Sequence, residues 1–167
     1  MAMPKVLKNF NMYLDGTGFI GKADEVVLPN LQLVTEDHRG GGMDAAVRLD
    51  MGMETPELGF TLAEHAVEVY RQFGLVNQNA VQAVFRGAMM DDNSATPYIV
   101  TARGMYTEVD GGTVSVGQKN PLSGTLSLRY YKLEIGGQTI IEIDVDNMKR
   151  VINGTDQLQE MRDILNG

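Results

Sequence analysis

The chain has no cysteine and no tryptophan, and only two histidines among 167 residues. The first absence removes disulfides, zinc thiolates and a thiol nucleophile together. His38 and His65 are each solitary, so no metal site is expected. No apolar run approaches the roughly 18 residues of a membrane-spanning helix, and no charged-then-apolar leader precedes Lys5. A soluble protein of cytosolic origin, without a membrane-spanning segment, is expected. Cations are also scarce, 14 Lys and Arg against 22 Asp and Glu, for a formal charge of −8. The acids are spread along the chain rather than gathered in a tail. Conventional nucleic-acid binding, which needs Lys and Arg to displace counterions from phosphates, is disfavoured.

What is present is glycine, 19 residues of it, with few aromatics. Many turns in one domain over 1–167 point to a mainly β fold. Phe10, Met12 and Leu14 alternate with polar neighbours before an Asp15-Gly16 hairpin turn, and Phe19-Ile20 begins the return. Residues 16–21 read G-x-G-x-x-G, but Val26-Val27-Leu28-Pro29 leaves no room for the helix a dinucleotide site requires. Leu58, Phe60 and Leu62 form a strand leading into a central helix from Glu64 to Phe73. Its stripe is Ala66, Val69, Tyr70 and Phe73, with Gly74 placed to end it and His65 facing solvent.

Val81 to Met90 is a strand in which Met89 and Met90 are core filler. A polar connection from Asp91 to Pro97 leads to a strand from Tyr98 through Met105. The longest pair, Thr125 to Asp146, turns at Gly136-Gly137. A three-residue turn including Gln138 sets Leu133 opposite Ile141, Tyr131 opposite Ile143, and Lys132 against Glu142 as a cross-strand ion pair. A bulge is expected between Tyr130 and Tyr131. Asp156 is placed to cap a C-terminal helix, answered by Gln159, with Leu158, Met161, Ile164 and Leu165 as its apolar face.

No nucleophile elbow, phosphate loop or catalytic triad is present. Asp144-Val145-Asp146-Asn147 opens like an EF-hand, but Lys149 stands where glycine is demanded. Paired acids such as Glu142 and Asp144 read as a solvated strand face rather than a glycosidase. No enzyme activity and no cofactor are expected. Two readings stand: a structural subunit, and a non-catalytic β-sandwich binding module for carbohydrate or protein.

The most unusual stretch is an arm from Glu36 to Pro56. Glu36, Asp37, His38 and Arg39 lead into Gly40, Gly41 and Gly42, then Met43 and Asp44. From there Val47, Leu49, Met51 and Met53 alternate with Arg48, Asp50, Gly52 and Glu54. Three glycines carry a large ordering cost, and the alternation is that of a strand with one face to bury. A segment this long inside a compact domain is usually functional or disordered.

An ordered set of landmarks carries a resemblance. Leu28-Pro29-x-Leu31 is followed by Arg39-Gly40-Gly41-Gly42-Met43-Asp44 and Asp50-Met51-Gly52-Met53. Phe85-Arg86-Gly87, Arg103-Gly104 and Glu108-Val109-Asp110 come later, then Tyr130-Tyr131-Lys132-Leu133 and Glu142-Ile143-Asp144. Ile152-Asn153-Gly154-x-Asp156-x-Leu158 and Arg162 close the set. Together, over nearly the whole chain, they resemble the major tail tube proteins of contractile-tailed phages and R-type pyocins.

The resemblance implies an antiparallel β-sandwich or barrel, similar to the type VI secretion tube protein, with a flanking central helix and a short C-terminal helix. It also implies six-membered rings whose subunits share strands, stacked into a hollow tube inside a contractile sheath. Such a tube conducts DNA or punctures the target envelope. Sheath, tape measure, baseplate and terminator proteins are the implied partners. The implied location is a virion or tailocin particle assembled in the bacterial cytoplasm. Residues 36–53 match the ring-stacking loop, and Arg48 departs from the small or uncharged residue expected there. With six times the chain's −8 per ring, an acidic lumen would let DNA slide without sticking. Glu134, Glu142, Asp144 and Asp146 are candidates to face the lumen or the sheath.

Overall fold

The computed structural model describes residues 1–167. Three tight turns seed the architecture. Asp15-Gly16, Gly136-Gly137 and Asn153-Gly154 each place both residues at positive φ, the turn whose twist matches paired strands. The last two join β9 (Leu122–Ile135) to β10 (Gln138–Asp144), and β11 (Lys149–Ile152) to β12 (Thr155–Asp156). The first joins β1 (Val6–Leu14) to the two-residue β2 (Thr17–Gly18).

The main sheet runs β12-β11-β10-β9-β8-β7-β1-β2, with β7 spanning Val81–Met90 and β8 Ala95–Asp110. β9 pairs with β8 along its length but splits its other edge. Its first half takes β6 (Glu57–Leu62), which carries β3 (Ala23–Val27), and its second half takes β10. Two wings of antiparallel sheet thereby share one cluster of 20 buried residues. Leu58, Phe60 and Leu62 enter it from β6, Ala83 and Phe85 from β7, Val100 and Ala102 from β8. No polar or charged residue is buried.

The split in β9 depends on one extra residue. Leu122, Leu126 and Leu128 are buried in the first half, and Tyr131 and Leu133 in the second. Pairing passes from Arg103↔Tyr130 to Gly104↔Leu128, so Arg129 bulges out and the inward phase changes. The expected bulge therefore lies one position earlier, at Arg129. Opposite it, a Cβ on Gly104 would stand 1.9 Å from the Ser127 carbonyl oxygen. Only glycine lets the strands approach this closely.

Other expectations are corrected in detail. The Gly136-Gly137 turn has two residues, with Ile135 opposite Gln138, and a shift between Thr139 and Ile141 then restores the expected register. Lys132 does lie opposite Glu142, but its ammonium pairs with Glu134 at 2.8 Å. The return after Asp15-Gly16 ends within two residues because β1 takes β7 as its main partner. Strand β8 begins at Ala95 and runs through Pro97, shortening the expected connection. Met89 is half-buried and Met90 exposed at the end of β7, so neither fills the core.

The central helix α1 is shorter than expected, Val67–Gln72. Ala66 and Val69 are buried, while Tyr70 and Phe73 stand about half exposed. Helix α2 (Gln159–Asn166) starts at Leu158 with no side-chain cap. Asp156 lies instead in β12, and Gln159 bonds Asp163 and Arg162. Neither helix is long and apolar enough to cross a membrane.

Gly104→Ala should cost about 2–3 kcal/mol in chemical denaturation, the range of overpacking in a site that does not yield. Gly41→Ala, with nothing near its would-be Cβ, should change stability by less than about 0.5 kcal/mol.

Candidate functional site

The arm is a β-hairpin that begins upstream of where the sequence pattern placed it. β4 (Leu33–His38) and β5 (Val47–Met53) form a separate two-stranded sheet. Glu36 opposes Leu49, Asp37 opposes Arg48, and His38 opposes Val47. The pairing shifts between Leu33 and Thr35, where Gly52 adopts a φ of +104° and its N–H donates to Asp50 Oδ1 at 2.9 Å. The alternation from Val47 therefore breaks before Met53, which packs against the core.

The rest of the hairpin meets no core. Val47, Leu49 and Met51 are 46%, 44% and 55% exposed, and Leu33 and Val34 are exposed beside them. A lone hairpin is marginal in water, so its anchors matter. Asp50 Oδ2 accepts from Arg150 Nη2 at 3.0 Å, tying β5 to β11, and Glu54 N–H donates to the Gln32 carbonyl at 2.8 Å. At the tip, Arg39 Nε donates to the Met43 carbonyl at 3.2 Å and the Gly40 N–H meets Met43 Sδ at 3.1 Å. Gly42 takes a left-handed φ of +84°. Glu36 and Asp44 are exposed. Arg48 pairs across the hairpin with Asp37 at 3.8 Å, a contact within the subunit, and with both groups solvated it contributes little.

The four candidate acids are each engaged within the chain. Glu134 pairs with Lys132, and Glu142 Oε2 accepts from Tyr130 Oη at 2.9 Å. Asp144 accepts from the side chain of Asn147 at 2.7 Å, and Asp146 from Asn79 at 2.7 Å, with Arg129 at 3.5 Å. Glu134, Glu142 and Asp144 share the outward face of the main sheet. Register rows there run Gln82–Arg103–Tyr130–Asp144–Lys149 and Val84–Thr101–Lys132–Glu142–Val151, with Arg86–Ile99–Glu134 beyond. The Arg103 guanidinium sits 4.3 Å from the Tyr130 ring centroid, a cation–π contact. Burial first, then the Glu142 bond, pushes the Tyr130 hydroxyl up to about 12.

No group of three or more His, Asp or Glu side chains is arranged to hold a metal. His65 is exposed, as expected, and its Nδ1 lies 2.9 Å from Tyr70 Oη. Helix α2 leaves Met161, Ile164 and Leu165 exposed, its apolar face uncovered. Arg162 clamps this helix, with Nη1 on Asp156 Oδ2 at 2.6 Å and on the Met148 carbonyl at 3.0 Å. Sequence reasoning missed both arginine anchors. Arg150 and Asp50 are 100 positions apart, and no local pattern joins them.

A projecting apolar hairpin on a mainly β body is the anatomy of a subunit made to be covered by other protein. Residues 4–165 match the family described as phage tail tube protein FII. The chain is 30% identical over 167 residues to the tail tube protein of Escherichia phage P2, covering 97% of each. It is 33% identical over 153 residues to the major tail tube protein of Serratia phage KSP20, covering 88% of this chain and 86% of that one. Its fold is similar to the PVC sheath/tube terminator of an extracellular contractile injection system in the extended state. The TM-score is 0.61 at 9% identity, over 80% of this chain and 98% of that one. The chain belongs to the phage tail tube protein family. It is a structural subunit of a tail tube and a virion component, not an enzyme, and this decides against the carbohydrate-binding module.

Two predictions test the anchors. Asp50→Ala should raise proteolytic cleavage between residues 39 and 46 while leaving the denaturation midpoint of the sandwich nearly unchanged. The Asp156 carboxyl is held below its ordinary value by the Arg162 bond and then by the Leu158 N–H. Its unfolded form therefore binds a proton more readily, so the stability it gives is complete at neutral pH. That stability is lost as pH falls from about 4 through the lower folded value. Thermal melts of the native protein below pH about 4 should fall more steeply than those of Asp156→Asn.

Proposed function

We propose that six copies of this chain close into a ring, and that rings stack through the β4–β5 arm into a hollow tube within a contractile sheath. The observation that carries this reading is the arm itself. It is a hairpin tied to β11 at its base, hydrogen-bonded across its tip, and apolar on a face its own subunit leaves uncovered. Surfaces of that kind mark protein–protein contacts, and the similarity to two phage tail tube proteins makes another copy of the chain the fitting partner. In this reading Val47, Leu49 and Met51 pack on the neighbouring ring. Glu36, Asp37, Arg39, Gly40, Gly41, Gly42, Met43, Asp44, Arg48 and Asp50 complete the contact, while Met53 roots the arm in the subunit.

Ring closure supplies the second half of the argument. Strand β2 covers only Tyr13 and Leu14 of β1, which leaves the rest of β1 as a free edge of the main sheet, and closure into a barrel removes such edges. The tube, assembled in the host cytoplasm, would meet tape measure, baseplate and terminator proteins at its ends or within it, and DNA would pass through the lumen. Shortening residues 37–50 to a tight turn should leave a folded, β-rich subunit by circular dichroism yet abolish tubes in negative-stain micrographs. Tubes of normal length from that variant would leave the arm without a role in stacking.

A further inference from the structure

Methionine makes up 11 of the chain's 167 residues, yet it supplies four of the 12 that line one groove. The groove, about 470 Å³ in volume, lies where the base of the arm meets α2 and the turn after β10. Met51 and Met161 stand 55% and 53% exposed on it, while Met53 and Met148 are half-buried. Of the charged groups around it, Asp50 is bound to Arg150 and Asp144 to Asn147. Lys149 is exposed and forms no ion pair, although Asp144 stands opposite it in register. An uncovered apolar groove with one unmatched cation suits an apolar segment that carries an acid. The outer arm is such a segment. Val47 and Leu49 are exposed on it. Glu36, opposite Leu49 and so on the same face, is exposed without a partner of its own.

Methionine gives such a groove a flexible, adaptable lining, with a liability that branched aliphatic side chains lack. A hydroperoxide transfers an oxygen to the thioether. The O–O bond breaks, the S–O bond of a sulfoxide forms, the sulfur is oxidised, and the reduced peroxide leaves as water or an alcohol. The product is a polar group that resists burial against Val47 and Leu49. We propose that the groove receives the outer arm of a second copy, and that Met51 and Met161 are modification sites at which sulfoxide formation blocks this docking. Arm and groove are different surfaces, so the contact runs head to tail and repeats without closing on itself, as a stack requires. The proposal rests on the stacking reading above and adds to it the receiving site and its chemical sensitivity.

Hydrogen peroxide on dissociated subunits, followed by peptide mass spectrometry, should convert Met51 and Met161 to sulfoxides while Met12, fully buried, stays unreacted. In assembled tubes the same dose should leave Met51 and Met161 largely unreacted. Two full-chain variants connect oxidation to docking. Met51→Leu/Met161→Leu keeps the groove apolar, and should give tubes in negative-stain micrographs whether or not its subunits have met peroxide. Met51→Gln/Met161→Gln carries permanent polar groups, and should keep native circular dichroism yet give no tubes. Native subunits with both sulfoxides should likewise give none until methionine sulfoxide reductases restore them.

Tubes at native yield from doubly oxidised subunits or from the glutamine variant overturn the proposal and leave the stacking reading intact. Equal oxidation of Met51 and Met161 in tubes and in subunits does the same. Met3 and Met90 are also exposed, and Met43 is half-buried at the arm tip. Peroxide sensitivity that persists in the leucine variant would assign the effect to these and overturn the proposal as well. Unmodified subunits that never form tubes would sink the stacking reading and the proposal together.

Discussion

The close approach of β8 to β9 at Gly104 is the constraint on which the rest of the molecule depends. A side chain there would collide with the Ser127 carbonyl, at the point where the register shifts and Arg129 bulges from β9. The bulge exchanges the inward and outward faces of β9 halfway along its length. Leu126 and Leu128 then enter the core beside β6, while Tyr131 and Leu133 enter it beside β10. The same exchange sends Tyr130, Lys132 and Glu134 outward together. One backbone irregularity thus allows a single strand to serve two wings of sheet, and also composes the polar face between them.

The energetics of the subunit make sense only with its surroundings in view. The core holds 20 residues, and 25 large apolar side chains lie exposed on strands, helices and loops. Burying a Leu or Phe contributes about 1.5–3 kcal/mol, so each side chain left uncovered is free energy withheld from folding and available to association. The arm shows how the chain prepares for this. Its base is tied by Asp50 to Arg150 and its tip by Arg39 to Met43, contacts that would reduce the ordering entropy lost if a partner covered it.

Much of the fold was legible because local chemistry dictated it. Asp15-Gly16 and Gly136-Gly137 demanded turns, period-two alternation located β1 and β6, a β-branched apolar run located β7, and the Leu133–Ile141 and Tyr131–Ile143 pairs followed from matching apolar faces. The errors arose where a non-local partner overrode local pattern. The glycine turn closed over two residues because a shift beyond Thr139 repaired the register at no loss to the core. Strand β5 was visible in its alternation, but β4 was not, since Leu33-Val34 followed by four polar residues shows no period-two alternation and the segment is paired only with β5. Arg150 gave no signal, because an anchor to a segment 100 positions away leaves no periodic trace, and Arg162 stood out as a landmark of the resemblance without its partner Asp156 being legible.

The distribution of charge follows from the same separation of roles. A net acidic subunit repels its own copies, so assembly requires the repulsion to be outweighed where copies touch. In the proposed stacking, the exposed Val47, Leu49 and Met51 of the arm would supply that hydrophobic contact. The outward sheet face instead carries charged groups at neighbouring register positions, with Lys132 bound to Glu134 and Asp144 opposite Lys149. Both arrangements depend on strand register, and a one-residue slip in β9 would turn Tyr131 outward and Lys132 into the core. The bulge at Arg129 therefore fixes the surface chemistry of the subunit as firmly as it fixes its core.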